Sequence, residues 1–162
     1  MELTMFSKGN KYIIQDKKES RQIYTIKKKG FGAGRYVLLD ASNYQLYSLA
    51  QITDERKPTF IISHNDVSIM QLTCRSLFLD PTINVEGKDI QGTIIKYDIA
   101  SKDHKNFQIL KEGTVVGSVK TKYSANSELQ YDFDIENKVF DDYIPLFVMA
   151  VDLTFGEMNR TS

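Results

Sequence analysis

The chain has 162 residues, of which 21 are lysine or arginine and 21 are aspartate or glutamate, so its formal net charge is zero. This length suits one domain with a sizeable core, and the balanced charge argues against nucleic acid as a partner, because there is no overall basic field. The single cysteine, Cys74, excludes an intramolecular disulfide and favours a reducing, cytoplasmic location. The N-terminus also lacks the basic and apolar regions of a signal peptide.

Aromatic or branched residues recur along the chain at intervals of 24, 24, 23, 24 and 24 residues. Such a period indicates one repeated supersecondary unit. Each anchor opens a strand-like run, and after five of the six a polar turn and a second strand-like run follow, so the unit is predicted to be a β-hairpin. The anchors are Tyr12, Tyr36, Phe60, Ile83, Phe107 and Tyr131.

Five hairpins, an opening run Leu3–Phe6 and a closing run Leu129–Ile135 predict twelve strands. Short consecutive reversals favour an up-and-down antiparallel sheet, and closure into a barrel would remove its edges. The fold class is therefore mainly β. A barrel of this size is too wide for strand side chains alone to fill, so its interior must hold water, a ligand or another part of the chain.

The C-terminal segment supplies a candidate filler. From Tyr143 to Phe155 almost every residue is apolar, and a helix apolar on all sides is buried. The sequence predicts a central helix over about residues 142–155, with Asp142 as the N-cap and Gly156 as the C-terminal stop. One domain would then span residues 1–157, and residues 158–162 would form a disordered tail. Asp152 would need hydrogen-bond donors or a place near a barrel mouth.

A membrane span is the alternative interpretation of this apolar segment. A span needs roughly 20 apolar residues, whereas this run is about a dozen residues long and includes Asp152. Two aspartates, Asp141 and Asp142, also precede it. The buried helix is therefore the preferred prediction.

The hairpin repeat, the stretch from Ile26 to Tyr36 and above all the closing helix from Tyr143 to Asp152 resemble the tubby C-terminal-like superfamily. The resemblance covers essentially the full chain and is nearest to the small LURP-one-related bacterial members. It implies a twelve-stranded barrel threaded by a hydrophobic helix. Because the superfamily includes tubby proteins, which bind phosphoinositides, and phospholipid scramblases, it also implies a non-enzymatic module that binds phospholipid headgroups or a membrane surface. A peripheral attachment to membranes would follow.

One glycine-rich stretch supports a sharper hypothesis about anions. Gly30-Phe-Gly-Ala-Gly34 lies between Lys27, Lys28 and Lys29 on one side and Arg35 on the other. Backbone N–H groups exposed among cations can cradle a phosphate. The stretch joins strand to strand, so neither nucleotide-binding fingerprint applies, and a flexible connection with solvated lysines is the alternative.

The repeat also predicts a ring of residues at one rim of the barrel. In an up-and-down barrel, equal offsets from the anchors mark the same rim. Fifteen residues after successive anchors come Lys27, Gln51, Arg75, Asp98 and Lys122. The predicted contacts for anionic headgroups are Lys27, Lys28, Lys29, Arg35, Arg75, Lys120 and Lys122. Each well-placed cation near such a surface contributes about 1 kcal/mol.

Other chemistry has little support in the sequence. His64 sits in an apparent turn, and the acidic face of Asp132, Asp134 and Glu136 lacks the glycine and loop geometry of a calcium site. We therefore expect no catalytic, metal or cofactor site. A protein-interaction module is the first alternative, with Tyr44, Tyr47 and Tyr123 as candidate contacts. A small-ligand-binding protein is the second.

Overall fold

The computed structural model describes residues 1–30, 34–53 and 56–161, and within them it has twelve strands and one helix. The predicted fold class is confirmed. The strands are β1 (Glu2–Lys8), β2 (Lys11–Asp16), β3 (Gln22–Lys29), β4 (Arg35–Asp40), β5 (Gln45–Gln51), β6 (Thr59–His64), β7 (Val67–Ser76), β8 (Thr82–Lys88), β9 (Ile94–Ser101), β10 (Asn106–Lys111), β11 (Thr114–Tyr123) and β12 (Leu129–Ile135), and the helix is α1 (Ile144–Thr161).

Every strand pairs antiparallel with its neighbours in sequence, and β1 pairs with β12, so the sheet closes into a barrel. At the closing seam Leu3 lies opposite Phe133 and Met5 lies opposite Tyr131. We call the end at which β1 begins and α1 enters the upper end. The lower end is the opposite one, where α1 ends and where the β1–β2, β3–β4, β5–β6, β7–β8, β9–β10 and β11–β12 connections lie.

Alternation of side chains along the strands separates the inside of the barrel from the outside. In β12 the side chains of Tyr131, Phe133 and Ile135 are buried, whereas Asp134 is exposed. Successive strand residues point to opposite faces, so the apolar set faces the interior. Register shifts interrupt five strand pairs, including Leu38/Leu39 between β4 and β5. Such bulges increase local twist and help a sheet to curve.

The helix fills the interior as predicted. Its residues from Leu146 to Val151 are all buried. Phe147 packs its ring 5.2 Å from that of Tyr97, and Phe155 lies at the same distance from Phe107, measured between ring centroids. Within the described residues, no helix is both long and apolar enough to cross a membrane.

The observed ends of the helix differ from the predicted ones. It starts at Ile144, and the carboxylate of Asp142 accepts a hydrogen bond from the Tyr24 hydroxyl of the barrel wall. At the other end the helix continues past Gly156 to Thr161, so residues 158–161 are not a disordered tail. The extra turn is held by tertiary bonds: the Asn159 amide donates to the His104 carbonyl at 2.9 Å. Propensity alone does not reveal such contacts.

Candidate functional site

The two ends of the barrel carry opposite charges. At the lower end, the last or first two residues of each strand include seven cations and no anion: Lys8, Lys11, Lys28, Lys29, Arg35, Arg75 and Lys122. The same positions at the upper end include four anions and two cations: Glu2, Asp16, Asp40, Asp134, Lys88 and Lys111. The whole chain is neutral, so its charge is separated along the barrel axis.

The β3–β4 hairpin brings four predicted contacts together. Lys27, Lys28 and Lys29 form the end of β3, and Lys29 pairs across the ladder with Arg35 at the start of β4. Arg35 Nη2 lies 3.2 Å from a carboxylate oxygen of Asp66, so this guanidinium is already engaged in an exposed ion pair. The proposed phosphate cradle includes residues 31–33, which lie outside the described residues.

Lys120 and Lys122 lie on the outer wall of β11, around the buried carboxylate of Asp132. Lys122 Nζ is 2.7 Å from Asp132 and Lys17 Nζ is 3.0 Å from it. Burial alone would raise the pKa of this carboxyl, but hydrogen bonds from Lys122, Lys17 and Thr4 lower it to about 2. Asp132 is therefore not a solvated carboxylate of the outer face, because it lies beneath two lysines and pairs with them.

Arg75 lies beside an apolar tip that the sequence analysis did not identify. Its Nε donates to the Asn84 amide oxygen at 2.6 Å. It also lines a surface groove of about 400 Å³ that ends at Phe78 and Leu79 in the β7–β8 connection. These two side chains are 59% and 84% exposed. The sequence signal was an adjacent Phe-Leu pair in an irregular, proline-containing connection.

Two further cations flank this tip from the β5–β6 connection. The guanidinium carbon of Arg56 lies 5.4 Å from the centroid of the Phe78 ring, within cation–π range. Lys57 lines the same groove. The lower end thus combines exposed apolar side chains with cations at one point of its rim.

The predicted cations share one end but do not form one site. They belong to β3–β4, β7 and β11, and in a twelve-stranded ring β3, β7 and β11 are four strands apart, or roughly 19 Å along the wall at the usual strand spacing. Asp98, which the repeat also placed on the rim, instead lies inside β9 and accepts a hydrogen bond from Asn84. The predicted rim position is wrong there because β9 continues to Ser101, three residues beyond Asp98.

Asp152 lies near the lower mouth and is hydrogen-bonded, as the sequence analysis expected. It is 4% exposed, and its Oδ1 accepts bonds from the Tyr131 hydroxyl at 2.7 Å and from Arg160 Nη2 at 2.9 Å. Burial, with the nearby Asp152 carboxylate, raises the pKa of Tyr12 to about 12 and also raises that of Tyr131. Both tyrosine hydroxyls therefore stay protonated at neutral pH.

The residues considered for protein contacts or catalysis have separate environments. Tyr47 is buried and packs edge-on against Tyr143, with ring centroids 6.0 Å apart. Tyr44 is exposed, and the partly exposed Tyr123 donates its hydroxyl to the Asn159 carbonyl. His64 Nδ1 lies 3.2 Å from the Leu46 carbonyl. Of these residues, only Tyr44 and part of Tyr123 therefore offer aromatic surface.

Comparison with known proteins agrees with this architecture. The sequence model of the family described as LURP-one-related matches residues 1–152. An X-ray structure of a protein from Arabidopsis thaliana has a TM-score of 0.58 and 14% identity, over 94% of this chain and 88% of that chain. At that identity the likeness concerns the fold alone. Comparison with curated proteins gives no significant match.

Proposed function

This chain belongs to the LURP-one-related family, and from the charges at its lower end we propose that it is a non-enzymatic module that binds the surface of a membrane containing anionic phospholipid. The observation that carries the proposal is the set of seven strand-end cations with no anion among them. The module would act at the cytoplasmic face of the membrane, where anionic lipids are concentrated.

The cations differ in how freely they can meet a headgroup. Lys28 and Lys29 are exposed and make no ion pair with another described residue. Lys122 and Arg35 are held by Asp132 and Asp66. At about 1 kcal/mol per cation near the surface, the unpaired lysines would supply most of the electrostatic attraction. That attraction falls with salt, because the screening length is about 10 Å at 0.1 M.

The exposed tip formed by Phe78 and Leu79 supports the same orientation. Apolar side chains flanked by cations suit the boundary between headgroups and acyl chains. Full burial of such a side chain contributes about 1.5–3 kcal/mol. Arg56, Lys57 and Arg75 surround the tip and would meet the phosphate layer as it inserts.

Vesicle co-sedimentation tests the proposal. The unmodified protein should pellet with phosphatidylcholine vesicles containing phosphatidylserine and less with pure phosphatidylcholine. Lys27→Glu plus Lys29→Glu should weaken binding at least about tenfold, since four charge units change near the surface. Phe78→Ser plus Leu79→Ser should weaken binding with little change in its salt dependence.

The matched control is Lys88→Glu plus Lys138→Glu, which makes the same charge change among exposed lysines of the upper end. This variant should bind like the unmodified protein. Equal losses from the two charge-reversed variants would show that only net charge matters and would contradict a lower-end site. If the unmodified protein fails to pellet at low salt, the proposal is wrong, and a protein partner becomes the leading alternative.

A further inference from the structure

A cavity of about 410 Å³ opens at the lower mouth, between α1 and the inner faces of β1, β2 and β12. This volume lies in the range of small-molecule sites. The cavity lies beyond the fully buried turn that ends at Val151, where α1 no longer fills the whole width of the barrel. Its polar wall includes Ser7, Tyr12, Glu128, Tyr131, Asp152 and Arg160.

The floor of the cavity is a preorganised carboxylate. The Tyr131 hydroxyl and Arg160 donate to Asp152 Oδ1, and the Tyr12 hydroxyl also interacts with this carboxylate. An ionised carboxylate offers about four acceptor positions, so the group keeps capacity for a further donor. Gly156 makes this arrangement possible, because a Cβ there would come 2.7 Å from Asp152 Oδ1 and 2.8 Å from an Arg160 nitrogen.

The charges that line the cavity favour a cation inside it. Asp152 and Glu128 carry two negative charges and Arg160 carries one positive charge, which leaves the lining at about −1. Glu128 is exposed at the opening and makes no ion pair with another described residue. The rings of Tyr12 and Tyr131 add aromatic faces, which attract ammonium groups.

The rim outside the cavity has the opposite sign. Lys8 and Lys11 pair across the β1–β2 hairpin. They alternate with the cavity-lining residues Ser7 and Tyr12 along the strands, so their side chains start on the outer face of the rim, beside the opening. A simple cation would be repelled by this rim, and a simple anion would be repelled by the cavity lining. A short zwitterion satisfies both regions.

We propose that this cavity binds a phosphorylated amino alcohol, with its ammonium group at Glu128 and Asp152 and its phosphate at the Lys8–Lys11 hairpin. The same chemistry occurs in the headgroup of a zwitterionic phospholipid and in a free phosphoethanolamine or phosphocholine. The inference does not depend on binding to anionic membranes, because the recognised ligand has both charges within itself and can be offered in solution.

An NMR titration of the ¹⁵N-labelled full chain with phosphoethanolamine tests it. The amide signals of Ser7, Tyr12 and Glu128 should shift together and saturate. Phosphoethanolamine should bind at least about tenfold more tightly than ethanolamine or inorganic phosphate, because each of those lacks one charge-assisted contact. Equal binding of inorganic phosphate, or no saturable shift at these residues, would overturn the proposal.

Variants and vesicles complete the test. Glu128→Gln should weaken binding about tenfold, whereas the control Glu112→Gln, in an exposed turn of the upper end, should leave it unchanged. Asp152→Asn should also weaken binding. If this substitution of a buried residue prevents folding, Glu128→Gln alone still tests the proposal. Wild-type affinity in Glu128→Gln would contradict the assignment.

Net-neutral vesicles of phosphatidylethanolamine and phosphatidylcholine distinguish the two sources of the ligand. If the unmodified protein sediments with these vesicles and Glu128→Gln does not, the ligand is a lipid headgroup. Saturable binding of free phosphoethanolamine without such sedimentation would assign a soluble metabolite. Neither the titration nor the neutral-vesicle experiment uses anionic lipid, so either can give a positive result even if the protein does not bind anionic vesicles.

Discussion

At the scale of single residues, three positions on one face of α1 explain the lower mouth. Asp152, Gly156 and Arg160 are spaced by four residues, which places them on one helical face. The glycine leaves the room in which the arginine folds back to the aspartate, and their N–O distance is 2.9 Å. The sequence predicted Gly156 as the stop of the helix because of the propensity of glycine. In the structure its lack of a side chain instead makes room for the contact between Arg160 and Asp152.

Tyr131→Phe should lower the free energy of unfolding by about 1.5–3 kcal/mol, the usual range for a hydrogen bond to a charged group. The substitution leaves Asp152 nearly fully buried with one donor fewer. Urea denaturation at neutral pH measures the change. Tyr36→Phe is the comparison, because this inward tyrosine makes no hydrogen bond to Asp152 in the described part of the chain, and it should change stability less. Equal losses would contradict a special role for the Asp152 bond.

At the scale of elements, the outer wall of the seam is fastened by Asp132. This β12 carboxylate accepts from Thr4 of β1 at 2.9 Å and is paired with Lys122 of β11 and Lys17 of the β2–β3 turn. Two segments from the first strands and two from the last strands thus meet at one side chain. The first and last strands close the barrel at this seam, so loss of the Asp132 carboxylate should weaken the closure.

Asp132 should make stability depend on acid pH. Its pKa is lowered to about 2 in the folded chain, against an unfolded value of roughly 3.9. Because the folded state binds the proton less readily, the stabilisation is fully present above about pH 4 and is lost as the pH falls through about 2. Urea midpoints at pH 7, 4, 3 and 2.5 should therefore fall less steeply in Asp132→Asn than in the unmodified protein.

Asp134→Asn is the comparison for this pH series. Asp134 follows Asp132 on the same outward face but is exposed, with the N-terminal amine 3.7 Å away. An exposed ion pair contributes about 0–1 kcal/mol, so its removal should leave most of the acid loss in place. A pH profile flattened equally by both substitutions would contradict the assignment to Asp132.

At the scale of the whole molecule, the barrel and the helix should fold as one unit. The interior of a twelve-stranded barrel cannot be filled by its own strands, and here α1 fills it. Deletion of residues 141–162 should therefore abolish cooperative unfolding, as measured by circular dichroism and amide signal dispersion. Phe147→Ala should keep a cooperative transition but reduce stability by about 3–5 kcal/mol. A cooperative transition in the truncated barrel would contradict this dependence.

The sequence by itself determined the repeat, the number of strands and the need for a filler. The 24-residue period and the alternation of apolar residues are local properties, and each follows from the geometry of a strand. The all-round apolar segment before Gly156 likewise predicts burial without knowledge of its partners. For the same reason Lys27, Arg75 and Lys122 could be assigned to one end in advance.

Only the tertiary structure decided which charges are free and where space remains. Lys122 and Lys28 look alike in the sequence, yet Lys122 is bound to Asp132 whereas Lys28 makes no ion pair with another described residue. The difference arises because the β11–β12 register brings Lys122 to Asp132, and β1 helps to bury that carboxylate at the seam. The exposure of Phe78 and Leu79 depends on how the β7–β8 connection packs at the rim, and the cavity beside Asp152 depends on how the barrel closes around α1. Packing of segments far apart in sequence is a global property, so no local pattern could fix it.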